Sequence, residues 1–201
     1  IGVRLVGSEM CIRDRKLVEN RKRFIDMINH DKKYIFIHIP KTGGSSIEQL
    51  LLKVDGIEIK NKRLRSYPES IRRKYNIGSY GGNQHYPISK FEITSQENYF
   101  CFTFVRNPYS RILSEYKWQK SELGKSFKNF KQFLKTGTYV PWHRESQCEF
   151  INENIDFIAR FENFQRDVDI ICDKIGIPQQ QLPHKNKTEH KHYTEYYDDE
   201  T

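Results

Sequence analysis

Y-I-F-I-H-I-P-K-T-G-G-S-S-I-E-Q-L-L-L, residues Tyr34–Leu52, decides how the rest of the chain is read. A run of aromatic and β-branched residues, the composition of a strand buried on both faces, stops at Pro40. Lys41-Thr42-Gly43-Gly44-Ser45-Ser46 then turns the chain, and the apolar spacing of a helix begins immediately. Gly43 and Gly44 allow a tight turn with exposed amides, Ser45 and Ser46 add hydroxyl donors, and the helix directs its positive end at the same place. Strand, glycine turn and helix in this order form a cradle for a phosphate. The lysine precedes the glycines, whereas the nucleotidase pattern G-x-x-x-x-G-K-[ST] has it after them. No other apolar run ends in an aspartate placed to hold magnesium.

A second junction of the same kind follows. Tyr99–Val105 (Y-F-C-F-T-F-V) is an apolar run leading into Arg106-Asn107-Pro108. Asn107 can cap, and Pro108 can start, a helix to about Lys120. In it Tyr109, Ile112, Leu113 and Tyr116 form the expected buried stripe, with Ser110, Arg111, Ser114 and Lys117 on the other side. Ligands of open α/β sheets collect at the carboxyl ends of the strands, so both junctions aim at one crevice. Lys41 and Arg106 would meet two anionic groups there. Asp156–Phe161 is a third strand, and Gln165–Ile175 a helix ended by Gly176. Further helical pieces are expected near Phe127–Leu134, at Glu145–Ile151 and, as a short basic helix, over Lys16–His30. The fold class is therefore α/β: a P-loop-like single domain with a central parallel sheet flanked by helices.

The chain has 201 residues with a formal net charge of +8, which favours an anionic ligand without choosing among nucleotide, acidic glycan, nucleic acid or membrane surface. No stretch approaches the roughly 18 apolar residues of a spanning helix. Cys11, Cys101, Cys148 and Cys172 form no CxxC pair, so reduced thiols are expected and a zinc module is not. Ile1–Arg15 has neither period nor cap and reads as a non-native leader. Residues 16–201 read as the domain, cut short at its C-terminus. Asp55–Tyr75 is a basic surface connection, and Ile77–Pro87 is glycine-rich and contains Gln84-His85-Tyr86-Pro87.

H-I-P-K-T-G-G-S-S and F-T-F-V-R-N-P-Y-S-R-I-L-S-E-Y resemble the two cofactor motifs of sulfotransferases that use 3′-phosphoadenosine 5′-phosphosulfate (PAPS), nearest to the carbohydrate branch. The likeness extends through Gln84-His85, Arg160-Phe161-Glu162-Asn163 and His184-Lys185-Asn186-Lys187-Thr188, covering nearly everything after about Lys33. It implies that Lys41, Thr42, Gly43, Gly44, Ser45 and Ser46 hold the 5′-phosphosulfate, and that Arg106 and Ser114 hold the 3′-phosphate. Ser114 lies two helical turns beyond Arg106, so the pair can share a phosphate only if the arginine reaches along the helix from its start. PAPS is then the co-substrate, no metal is implied, and the acceptor is a hydroxyl on a saccharide.

The resemblance makes His85 the general base and gives Lys41 the charge of the leaving phosphate. A neutral imidazole suits the first role. A solvated loop histidine is the competing reading of His85, with His143 the next candidate. His38 reads as a satisfied strand residue, and His184, His190 and His192 as solvated tail residues. Tyr139 and Trp142 are either a sugar platform or core, and Lys185 and Lys187 fall in a segment resembling a cofactor-closing loop. The rivals are a P-loop small-molecule kinase and a non-catalytic binder of anionic glycan or nucleic acid. As a sulfotransferase the chain would need no nucleic acid and no membrane segment. It would be cytoplasmic, or in the Golgi lumen if it is a piece of a membrane-anchored relative.

Overall fold

In the computed structural model the described residues are 27–57, 70, 98–137, 140, 143, 145–181 and 191–198. They form a four-stranded sheet in the order β1-β2-β3-β4, with β1 Met27–Asn29, β2 Tyr34–Ile37, β3 Phe100–Val105 and β4 Phe157–Arg160. β2, β3 and β4 are parallel, with Ile37 opposite Thr103 and Val105 opposite Arg160. The helices are α1 Gly44–Val54, α2 Pro108–Glu122, α3 Phe130–Thr136 and α4 Phe164–Ile175. The α/β fold expected from the sequence is the one observed.

β2 is buried along its whole length, as its unbroken apolar sequence requires. On one face of the sheet Phe36, Phe102, Phe104 and Ala159 pack with Ile47, Leu50 and Leu51 of α1 and with Val168, Ile171 and Ile175 of α4. On the other, Ile35, Ile37, Ile39 and Cys101 meet Phe150 from a 3₁₀ turn at Gln147–Phe150. A third cluster joins Leu113 and Tyr116 of α2 to Phe127, Phe130 and Phe133 at α3. Three helix ends have a local cause. Asn107 and Asn129 cap α2 and α3 by accepting N–H bonds from Ser110 (3.1 Å) and Gln132 (2.9 Å), and Gly176 closes α4 at φ 69°.

The basic helix expected over Lys16–His30 is corrected where it is described: Met27–Asn29 is a strand, antiparallel to β2, so the sheet is not wholly parallel. Asn29 decides this. Its Oδ1 accepts N–H bonds from Asp31 (3.0 Å) and Lys32 (2.8 Å), which closes a turn that Lys33 completes at φ 53°. Its Nδ2 donates to Asp55 Oδ2 (2.9 Å), and Lys32 pairs with the same carboxylate, fastening the hairpin to the end of α1. The apolar spacing that looked helical belongs at its end to a strand.

The buried stripe of α2 is also corrected. Tyr109 is 55% exposed, while Arg111, Glu115 and Gln119 are buried beside Leu113 and Tyr116. The helix is enclosed on two sides, one apolar and one polar. The C-terminal tail, polar in sequence, turns at Tyr193–Glu195 and packs Tyr193, Tyr196 and Tyr197 against α2 and α3. Cys101, Cys148 and Cys172 are free thiols, and burial pushes Cys101 up to about 12, with Asp156 adding to the shift. No helix among the described residues is long and apolar enough to cross a membrane.

Phe102 is fully buried, with ring contacts to Tyr34, Phe36 and Phe100. Phe102→Ala should destabilise the protein by about 3–5 kcal/mol, read as a fall in the urea midpoint with little change in slope.

Candidate active site

Parallel pairing brings the carboxyl ends of β2, β3 and β4 to one edge of the sheet, where Lys41, Arg106 and Phe161 follow them. Thr103 Oγ1 donates to Ile37 O (2.8 Å), tying the second strand to the first just below the loop. Above that bond the chain turns through Pro40, Lys41 at φ 67° and Gly43 at φ 92°. Thr42 is fully buried, its hydroxyl donating to Ile39 O (2.8 Å), so it shapes the loop from within. The first turn of α1 closes with Ser46 N–H on Gly43 O (2.9 Å).

Gly43 and Gly44 are required here for space as well as conformation. A Cβ on Gly43 would stand 3.0 Å from the Phe164 ring, and one on Gly44 would stand 2.0 Å from His38. His38 lies beneath the loop and pairs through Nδ1 with Glu48 Oε1 (2.8 Å), both side chains buried. It is thus a satisfied residue supporting the helix start. The other oxygen of Glu48, Oε2, has no hydrogen-bond partner among the described residues. Among the described residues no side chain caps α1, in contrast to α2 and α3. Its first amides, with the exposed Ser45 and half-buried Ser46, are the donors the loop offers.

Arg106 reaches this loop. Its backbone is held by reciprocal bonds with the Gln147 amide, N–H to Oε1 and O from Nε2, both 2.8 Å. The side chain lies over the Phe161 ring (4.1 Å to the centroid), Nε donates to Ser110 Oγ (2.9 Å), and Nη1 donates to Lys41 O (3.3 Å). The arginine does run along the start of α2, and the hydroxyl it meets there is that of Ser110. Ser114 is half-buried one turn further on, with no hydrogen bond to a described residue. Burial lowers the Arg106 pKa and Glu162 opposes the shift.

Lys41 sets its Nζ over the Trp118 ring, 4.7 Å from the centroid. Burial is the main cause that brings its pKa down to about 8; Glu115 and Glu122 act against the shift, and Arg106 adds to it. The cation is held close to its titration point. Arg111, assigned by its position to the polar side of α2, is buried and makes three backbone contacts: Nε to Pro40 O (2.9 Å), Nη1 to Glu145 O (3.0 Å) and Nη2 to His143 O (3.4 Å). His143 in turn pairs with Glu115 (2.7 Å).

The structure therefore brings together Lys41, Thr42, Gly43, Gly44, Ser45, Ser46 and Arg106, with Ser114 on the adjoining helix. His85, Tyr139, Trp142, Lys185 and Lys187 lie outside the described residues, and of the tail histidines only His192 is described, bonded to Thr194 (2.8 Å). From the sequence, Arg111, like Ser110 and Lys117, is an exposed helix position that could contact cofactor or acceptor, and Phe161 only part of a segment resembling the family; Glu115, Trp118 and Gln147 are not singled out as site residues. The spacing of Arg111, Glu115 and Gln119 at i, i+4 and i+8 was the available signal for a polar stripe. Phe161 lies in the Arg160-Phe161-Glu162-Asn163 segment of the resemblance, and nothing local marks Gln147.

The fold is thus α/β, with a strand–loop–helix turn joined by a second strand end that carries a cation. The sequence matches the sulfotransferase family over residues 26–200, and the chain belongs to that family. It is also similar to a protein of Archaeoglobus fulgidus described as an uncharacterized protein, 29% identical over 89 residues, which span 42% of this chain and 73% of that one.

Gly44→Ala should lower the melting temperature, because the loop or His38 must move; overpacking of this kind costs about 1–3 kcal/mol. Combined with His38→Ser it should cost less than the sum of the two single changes, a coupling readable from denaturation of all four proteins. Anion binding at the loop should weaken as pH rises through about 8, since Lys41 loses its charge there. A titration of affinity against pH checks this.

Proposed function

We propose that the protein transfers a sulfuryl group from PAPS to a hydroxyl of a saccharide. Membership of the sulfotransferase family supports sulfuryl transfer. The observation that supports a bisphosphorylated donor is the junction of the two loops, with the Arg106 guanidinium bonded to the Lys41 carbonyl (3.3 Å). Two cations side by side at neighbouring strand ends suit a ligand with anionic groups at both ends.

In this reading Lys41 and the residues from Thr42 to Ser46 hold the 5′-phosphosulfate on the uncapped start of α1. Arg106 and Ser114 take the 3′-phosphate, and Ser110 orients the guanidinium. The acceptor oxygen attacks sulfur as the bond from sulfur to the bridging oxygen breaks, in line by analogy with phosphoryl transfer. The acceptor proton passes to His85, and the electrons of the broken bond stay on the 5′-phosphate. Lys41 compensates that charge. Phe161 under Arg106 and Trp118 under Lys41 keep both cations extended and partly desolvated, which strengthens their hold on an anion.

Calorimetry with adenosine 3′,5′-bisphosphate tests the donor. Binding should be clear for the parent and weakened by Lys41→Ala and by Arg106→Ala; a folded parent that does not bind overturns the proposal. His85→Ala should keep that affinity and lose turnover by about 10²–10⁴-fold. Unchanged turnover would remove His85 from the role of base.

A further inference from the structure

Glu115 stands at the centre of a buried polar cluster on α2. Its two carboxylate oxygens are both engaged, Oε1 by Gln119 Nε2 (2.7 Å) and Oε2 by His143 Nδ1 (2.7 Å). Such a carboxylate is fixed in place. One helical turn on from it, Trp118 projects from the same face of α2. The Trp118 ring carries the Lys41 ammonium at 4.7 Å and meets the His143 ring at 5.3 Å between centroids. Arg111, one turn before Glu115, bonds to Pro40 O, the carbonyl directly before Lys41, and to the backbone of His143. The loop, α2 and the segment carrying His143 are therefore locked around one anionic group.

Glu115 is 1% exposed, is held by two donors and lies one helical turn from the ring that carries the Lys41 ammonium. We infer that Glu115 is a positioning residue for sulfuryl transfer: held by His143 and Gln119, it keeps the Lys41 ammonium charged over Trp118, ready for the anionic donor. It touches no reacting atom. This inference rests on the function proposed above and adds the device that sets the state of its lysine.

Electrostatics agree with the geometry, since Glu115 is the foremost of the groups that oppose the effect of burial on Lys41. Among the described residues the other charged groups acting on Lys41 are Glu122, from the last turn of α2, which acts in the same sense, and Arg106, from the end of β3, which acts against it. His143 abuts Glu115 and Trp118 from the segment before the 3₁₀ turn. Among the described residues, removing the Glu115 charge leaves Glu122 as the group opposing burial and Arg106. Lys41 then loses its proton at lower pH.

The test follows the ionisation of Lys41 in ligand-free protein, by the pH dependence of its acetylation with acetic anhydride read by mass spectrometry. Glu115→Gln keeps the volume and removes the charge; its amide oxygen can still accept from Gln119, and its NH2 can donate to His143 Nδ1 in the tautomer that leaves that nitrogen unprotonated. It should lower the midpoint for Lys41 by about one pH unit or more, and Glu122→Gln, at an exposed position, by less. An unchanged midpoint in folded Glu115→Gln overturns the inference. If that variant does not fold, Glu115→Asp carries the same test: drawing the carboxylate back should lower the midpoint by a smaller step, and an unchanged or raised one overturns the inference. Calorimetry with adenosine 3′,5′-bisphosphate across pH gives the functional arm, in which the loss of affinity with rising pH should move down with the Lys41 midpoint. A purely structural role for Glu115 would weaken binding equally at every pH. Because acetylation needs no donor, a parent that fails to bind the bisphosphate counts against the proposed function alone, and an unmoved Lys41 midpoint counts against Glu115 alone.

Discussion

Parallel pairing of β2 with β3 is the constraint on which the rest of this structure depends. Parallel strands deliver their carboxyl ends to the same edge of a sheet, so the residues that leave β2 and β3 must emerge side by side. The register fixes which ones do: Ile37 opposes Thr103, and the Thr103 hydroxyl bonds to Ile37 O. The chain leaves β2 through Lys41 and β3 through Arg106, and the arginine closes on the Lys41 carbonyl. β4 extends the same arrangement and supplies Phe161 as the platform under Arg106.

A second requirement follows from placing cations at a half-buried edge. Desolvation disfavours both charges, and each is supported by an aromatic ring and a nearby carboxylate: Lys41 by Trp118 and Glu115, Arg106 by Phe161 and Glu162. Those carboxylates are positioned in turn. Glu162 accepts the Asn107 N–H at the start of α2, and Glu115 is held by Gln119 and His143. Arg111 joins the loop to the His143 segment through three carbonyl oxygens. The buried polar side of α2 thus has a purpose that its apolar side does not: it fixes the loop against the helix while the apolar side holds the helix to α3.

Beneath the loop the packing is tight enough to forbid side chains. The His38 ring occupies the space a Cβ on Gly44 would need, and Phe161 and Phe164 close over Gly43. The His38–Glu48 pair beneath and the Glu115–His143 pair alongside show the same solution twice, a buried carboxylate bonded to an imidazole nitrogen at 2.8 and 2.7 Å. Both stiffen the frame of a site whose own donors, the first amides of α1, are left uncapped.

Local sequence determined much of this. Nearly continuous apolar runs at Tyr34–Ile39 and Tyr99–Val105 mark buried parallel strands because burial on both faces leaves little room for polar residues, and Pro40, Gly43, Asn107 and Gly176 mark the element ends because each has a backbone or capping preference that acts within a few residues. Lys41 and Arg106 were legible from their places at strand ends. Tertiary structure alone decided the rest. Met27–Asn29 became a strand because β2 offered an open edge and Asn29 could close the turn, and a helical spacing of apolar residues cannot report an edge formed elsewhere. The periodic pattern of α2 puts Arg111 on its polar side and does not show that Arg111 and Glu115 are buried, because such a pattern distinguishes apolar from polar and carries no information on whether polar groups will find buried partners. Those partners, Pro40 O and His143, lie 71 and 28 residues away in sequence, and only the fold brings them within bonding distance.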